Sequence, residues 1–497
     1  MSRPTPEWKS ANVPEAGRAA RIGRVTGVLL FIAILALPAP AGLEPAAWRT
    51  AAVAALMAAW WFTEAIPIPA TALVPVVLFP LLGVGTIRET AEPYANPIIF
   101  LFLGGFLLAA AMQRWNLHRR IAFGIVRRTG TRPSGLMAGF MVATALLSMW
   151  VSNTATAVMM MPIGLSVVGV LSAAESESAE GAGEDLHGGL AVALLLGIAY
   201  AASIGGLGTL VGTPPNAFLA AYMKETYGID VGFARWMLVG LPLVAVALPA
   251  AWWLLTRVIF RVGDAEIPGA ARALRREEAG LGAIRPAERR VAAVFLLTGL
   301  LWVTRPLLER FLPGLSDAGI AMTGGLSLFL LPSGEPGRPL LDWEDARHVP
   351  WGVLILFGGG LSLATAIDRT GLSVRIGEAA AGIASWPTPV FALLVTASII
   401  MLTEVTSNAA TTATVLPVLA AVSVQAGIDP LPIAVSAALA ASCAFMLPVA
   451  TPPNAIAYAS GRVRVADMTR AGLWLNVLMI VLVTLWATFV VPLVFGS

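Results

Sequence analysis

The 497-residue chain is 57% hydrophobic and only 12% charged, with a net charge of +3, whereas an ordinary soluble domain is roughly 25% charged. A mean hydropathy of +0.80 agrees with that, and so few charges cannot cover a water-soluble protein of this size; the chain reads as an all-α polytopic membrane protein embedded in a lipid bilayer, with no nucleic-acid partner. Its one cysteine, Cys443, excludes an internal disulfide, and His118, His187 and His348 lie in polar stretches, which argues against a histidine metal site in the apolar interior.

Residues 1–24 are polar and basic and read as a cytoplasmic N-terminal tail. The apolar run that follows ends in Pro38-Ala39-Pro40-Ala41, loosely like a signal peptide, but reads better as the first membrane helix. A hydrocarbon core about 30 Å thick needs about 20 apolar residues of helix. That rule predicts spans near 25–41, 47–62, 67–86 and 98–113. The next apolar stretch, 135–172, is too long for one crossing and has Ser152-Asn153-Thr154-Ala155-Thr156 near its middle. It is expected to be a re-entrant hairpin with a polar tip, because irregular backbone at membrane depth survives only when buried in protein or lining a cavity. The acidic run Glu175–Asp185 reads as a solvated linker.

Segment 190–223 contains Thr213-Pro214-Pro215-Asn216, and tandem prolines remove amide donors, so a broken helix is predicted there. A span at 234–256 completes a first half, 25–256, and a basic cytoplasmic linker, 257–289, leads to the second half, 290–497. That half repeats the pattern, with spans near 290–304, 317–333, 350–367 and 471–495, a hairpin at 388–425 and a broken helix at 431–460. Its polar phrases are Ser407-Asn408-Ala409-Ala410-Thr411 and Thr451-Pro452-Pro453-Asn454. About eleven transmembrane helices plus two hairpins result.

The two Ser-Asn phrases are 255 residues apart (407 − 152), and the same offset joins Gly104-Gly105 to Gly359-Gly360, Arg114 to Arg369, Arg120 to Arg375 and Pro162 to Pro417. This register marks an internal duplication. Five spans lie between the copies, so the halves are inverted, the architecture of secondary transporters. Arginines set the orientation: six in 114–133, eight in 257–290 and three in 461–470. The positive-inside rule places these segments and the N-terminus in the cytoplasm and the C-terminus outside.

The polar groups expected at midplane are Ser148, Ser152, Asn153, Thr154, Thr156, Thr213 and Asn216 from one half, and Thr403, Ser407, Asn408, Thr411, Thr451 and Asn454 from the other. Hydroxyl, amide and carbonyl oxygens suit a hard cation, and helix N-termini suit an anion. No Lys or Arg falls mid-span, so an anionic cargo needs accompanying cations. Glu404, the one acid near a tip, has Met149 as its counterpart and is a functional candidate; it reads as a hydrogen-bonded orienter of the tip or as facing a wet cavity, with a direct role in coupling as the alternative. The Gly104-Gly105 and Gly358-Gly360 segments are expected to allow close helix packing. No nucleophile–base pair is evident in the interior, which argues against an enzyme.

At these residues, together with Trp61-Phe62-Thr63-Glu64-Ala65-Ile66-Pro67 and the stretch Ala441-Ser442-Cys443 through Asn454-Ala455-Ile456-Ala457, the chain resembles the divalent-anion:sodium symporter family. The resemblance covers nearly everything from residue 48. It implies an elevator-type, homodimeric carrier in a bacterial-type inner membrane that couples sodium to di- or tricarboxylates, succinate-like above all. The alternatives on the same fold are an exchanger, a proton-coupled carrier or a sulfate:sodium symporter. It further implies one sodium site at Ser148, Ser152, Asn153 and a backbone oxygen near Gly212, and a second at Thr403, Ser407, Asn408 and a backbone oxygen near Ala450. Cargo carboxylates would touch Asn153, Thr154, Asn408, Thr451 and the neighbourhood of Pro452. Ala409 stands where dicarboxylate carriers commonly have Thr, so one hydroxyl donor is missing.

Overall fold

The computed structural model describes residues 18–177, 184–263, 275–276, 278–379, 382 and 386–496. Most of the expected N-terminal tail, residues 178–183 of the acidic linker and part of the basic linker lie outside these. Apart from one backbone bridge between Pro332 and Pro339, every regular element among the described residues is helical.

Among the described residues, eight helices are long and apolar enough to cross a membrane. The rule of length misplaces some elements. Asn408–Gln425 passes it, yet it is one arm of a hairpin. The expected span 67–86 is instead two short helices, Ile68–Thr71 and Val74–Leu81, with prolines at Pro67, Pro69, Pro75 and Pro80. Each proline removes an amide donor, so an unbroken ladder cannot form.

The glycine doublets act at close helix contacts. A Cβ on Gly104, in the helix Pro97–Arg114, would fall 2.4 Å from the Ala321 backbone in Asp317–Leu330. Its repeat mate Gly359, in Trp351–Arg369, would fall 2.1 Å from the Ala72 carbonyl. Neither site has room for a side chain.

The two halves also exchange ion pairs. Arg114, at the end of Pro97–Arg114, pairs with Asp342 at 2.9 Å and with Asp345. Arg369, at the end of Trp351–Arg369, pairs with Glu89 at 2.9 Å. All three acceptors belong to capping boxes, Thr86/Glu89 and Asp342/Asp345, that open short helices of the opposite half. Ion pairs this exposed are worth about 0–1 kcal/mol, so they orient the halves more than they stabilise them.

The first hairpin is Pro133–Ser148 and Asn153–Glu177; the second is Thr388–Thr403 and Asn408–Gln425. The first broken helix is Glu184–Gly206 and Pro214–Tyr227; the second is Pro430–Ala441 and Pro452–Ala459. They interlock reciprocally. Pro214–Tyr227 packs on the second hairpin and on Pro430–Ala441, while Pro452–Ala459 packs on the first hairpin and on Glu184–Gly206. Each half's broken helix thus packs against the other half's hairpin and broken helix.

Two of the three histidines expected in polar loops are on helices instead: His187 lies in Glu184–Gly206, and His118 is the buried one. His118 is buried on the amphipathic helix Leu117–Val126, its Nδ1 2.9 Å from the Met112 carbonyl oxygen. The polar neighbours that suggested a loop are the outer face of that helix.

Candidate functional site

Each tip is a helix end turned onto a helix start. Pro133–Ser148 stops, and Asn153 opens the next helix with the Ser152 hydroxyl accepting the Ala155 N–H at 3.3 Å. Ser407 holds the same place before Asn408–Gln425, where the Thr406 and Thr411 hydroxyls bond at 2.7 Å. Serine at this position is favoured because its oxygen can satisfy an orphan amide of the first turn.

The tips crowd oxygens in the same way. The Ser148 hydroxyl lies 2.6 Å from Asn153 Oδ1 and 2.7 Å from the Ala202 carbonyl oxygen. The Thr403 hydroxyl lies 2.8 Å from Asn408 Oδ1 and 2.9 Å from the Ala441 carbonyl oxygen. One O–H can serve only one of two acceptors. Each cluster therefore sets three oxygens around one hydroxyl proton, an oxygen-rich surrounding that suits a hard cation. At the first tip two more groups converge. A Cβ on Gly206 would lie 2.7 Å from Asn153 Oδ1 and 3.2 Å from the Gly212 carbonyl oxygen, so the absence of a side chain there is what lets tip and loop meet. Ala450 is buried at the end of the second loop, but no direct hydrogen bond among the described residues ties it to the second tip.

The loops of the broken helices are stapled by their asparagines. Asn216 Nδ2 donates to the carbonyls of Gly206 at 3.1 Å and Thr209 at 2.9 Å. Asn454 Nδ2 donates to those of Ala444 and Leu447, both at 3.1 Å. The side-chain N–H groups of both asparagines are thus consumed by the loops, while both amide oxygens are buried without a partner among the described residues. The loops touch each other where the Thr213 and Ser442 hydroxyls lie 3.2 Å apart.

The prolines also decide where an anion could be held. Helices Pro214–Tyr227 and Pro452–Ala459 begin with two residues that have no N–H, and the third amide is already taken, by the Thr213 carbonyl for Asn216 and by the Thr451 hydroxyl at 3.4 Å for Asn454. Their N-termini therefore offer an anion nothing in the first three positions, against expectation. Pro452, though exposed, can present only its ring, and Thr451 is buried as a cap. The tip helices are different. The backbone amides of Asn153 and Thr154, and those of Asn408, Ala409 and Ala410, have no hydrogen-bond partner among the described residues. Thr154 is exposed and Ala409 half-buried. Ala409 lacks a hydroxyl but keeps a free donor in its amide.

Openness differs between the halves. The first loop is buried, and Trp150 in the first tip stacks on Trp302 and meets Phe295 edge-on with centroids 5.0 Å apart. On the second half, Val405 at the tip is 61% exposed and Val449 in the loop 76%. Sequence reading missed Gly206, Thr209, Ser442 and Asn476. Asn476, a buried amide within the terminal apolar run, was the legible one.

Residues 19–495 match the family described as the sodium:sulfate symporter transmembrane region. The chain is 42% identical over 495 residues to the sodium-dependent dicarboxylate transporter SdcS of Staphylococcus saprophyticus, covering 99% of this chain and 94% of that protein. It is 41% identical over 480 residues to SdcS of Staphylococcus aureus, covering 96% and 92%. Among solved structures it is similar in fold to the YdaH transporter of Alcanivorax borkumensis, with a TM-score of 0.60 at 15% identity over 90% of this chain and 98% of that one. It is likewise similar to MtrF of Neisseria gonorrhoeae, with a TM-score of 0.57 at 13% identity over 96% of each chain.

Proposed function

The chain belongs to the sodium:sulfate symporter family of membrane transporters, and on that premise we propose that it is a sodium-coupled symporter of di- and tricarboxylates, with a C4-dicarboxylate such as succinate as its preferred cargo. The oxygen-rich surrounding at Ser148/Asn153 and Thr403/Asn408 supports this reading most directly. The dicarboxylate named in the relatives at 41–42% identity supports the cargo class.

One sodium ion would sit among Ser148, Ser152, Asn153 and the Gly212 carbonyl, and the other among Thr403, Ser407, Asn408 and the Ala450 carbonyl. The anion would then lie between the tips. Free amides of Asn153, Thr154, Asn408 and Ala409 would point at its carboxylates, with the Thr154 hydroxyl adding a donor on one side only. Thr451 and the Pro452 ring would bound it. A dianion among neutral dipoles is costly to desolvate, and two cations placed first would remove most of that cost. Alternating access would follow as an elevator-type movement of hairpins and broken helices past the rest of the fold. The protein would work as a homodimer in a bacterial inner membrane, N-terminus in the cytoplasm and C-terminus outside.

Sulfate is the second reading, favoured by the family's description and by the missing hydroxyl at Ala409. Uptake of labelled succinate into proteoliposomes under a sodium gradient decides between them. Uptake that withstands excess sulfate is the expected result; sodium-driven uptake of labelled sulfate with none of labelled succinate would reverse the choice.

A further inference from the structure

Val405 in the second tip and Val449 in the second loop are open where the first half is packed. Both lie in irregular backbone, which at membrane depth lines protein or a water-filled cavity and not lipid, so their exposure is not met by hydrocarbon. The tip offset of 255 (407 − 152) pairs Val405 with Trp150, and the loop offset of 238 (451 − 213) pairs Val449 with Val211. Those mates are docked. Trp150 lies on Trp302 and Phe295 of the helix Pro286–Leu308. Val211 is buried against Pro97–Arg114, where a Cβ on Gly105 would fall 3.2 Å from its Cγ1.

The helices repeat the asymmetry. Pro214–Tyr227 packs on Pro97–Arg114 and on Trp351–Arg369, whereas its mate Pro452–Ala459 packs on the first hairpin and on Glu184–Gly206. At Gly360, the mate of Gly105, a Cβ would fall 2.6 Å from the Phe218 ring and 3.1 Å from Ala413. Across the repeat those two places are held by Ile456 (218 + 238) and Val158 (413 − 255). Ala413 is buried, and Val158 is exposed. Trp150, Val211 and Ala413 are therefore docked, while their mates Val405, Val449 and Val158 are all open.

We infer that the open face carrying Val405 and Val449 is the surface that docks on Trp351–Arg369 in the other position of the carrier, with Val449 seated at Gly360 as Val211 now sits at Gly105. The inference rests on the elevator-type reading of the movement. Two inverted copies of one fold can exchange environments as one body moves past the other. The exchange gives a packing partner to the apolar groups that the present position leaves wet. In the second position Val158 and Ile456 take the place at Gly105, and Trp150 and Val211 are released. Glycine at both 105 and 360 keeps each seat open to a branched side chain from the loop that arrives.

Val449→Asp tests this, because a carboxylate is tolerated where the side chain is exposed and costly where it must be buried. Uptake of labelled succinate should fall more than about tenfold. The melting temperature, and its sodium-dependent rise on adding succinate, should stay at the parent values. Val449→Ile, still apolar, should transport at the parent rate. Parent-like uptake by Val449→Asp would overturn the inference, and so would loss of the succinate-induced rise, which would put the lesion in cargo binding. Single cysteines decide the matter if Val449→Asp fails to fold. In a Cys443→Ser background, Val211→Cys should react with a maleimide during sodium-driven uptake, although Val211 is buried in this position. A Val211→Cys that stays unreactive throughout turnover would overturn the inference. Full uptake by protein cross-linked between Asn96→Cys and Glu225→Cys would instead overturn the elevator-type reading beneath it.

Discussion

Asn153 and Asn408 each present two functions from one residue: an amide oxygen to a hydroxyl cluster and a free backbone N–H at a helix start. Removing the side chain keeps the second and destroys the first. Asn153→Ala and Asn408→Ala are each expected to cut succinate uptake by more than about tenfold, as loss of a group that bonds an ion does, with protein level and melting temperature little changed. Sodium-dependent uptake at the parent rate in either variant would reject that cation site. Much of this scale was legible, because a polar phrase repeated at one offset inside apolar sequence has no cheaper explanation. What the residue types could not reveal was which atoms were already spoken for. Asn216 and Asn454 look like ligands in the sequence, yet their N–H groups bind the loop carbonyls beside them.

At the scale of elements, tandem prolines locate the helix breaks, and their chemistry also empties the first two amide positions of each following helix. The consequence that the anion is left to the tip helices follows only once the caps are seen. Gly206 was illegible as a site residue, since its role is to be absent where Asn153 and the Gly212 carbonyl approach. Gly206→Ala would put a Cβ 2.7 Å from Asn153 Oδ1 and force the tip away from the loop. It is expected to weaken sodium activation of uptake by about tenfold, corresponding to overpacking of about 1.4 kcal/mol, while the helical circular dichroism stays the same. Parent-like sodium activation in this variant would show that the close approach is not needed. The two expected hairpins and the short helices at 68–81 show the limits of span counting. Hydropathy measures length and apolarity, and Asn408–Gln425 has both although it is joined to Thr388–Thr403 by a tip of only four residues.

For the whole molecule, the broken helix of each half packs on the hairpin of the other, which inverted repetition alone could suggest but not specify. The side chains across the proposed sliding surface are open to a direct test. Asn96, at the start of Pro97–Arg114, donates to Glu225 near the end of Pro214–Tyr227 at 2.8 Å. With Cys443 replaced by Ser, the pair Asn96→Cys and Glu225→Cys should cross-link with a short bifunctional thiol reagent and stop uptake, and reduction of a cleavable linker should restore it. Full uptake by completely cross-linked protein would exclude an elevator-type movement across that surface. The central claim is that one sodium site at each tip accompanies a shared anion. It is tested most directly by following labelled sodium and labelled succinate together into proteoliposomes. The account predicts more than one sodium ion per succinate, with both fluxes lost in Asn153→Ala and in Asn408→Ala; succinate uptake that proceeds equally when choline replaces sodium would contradict it.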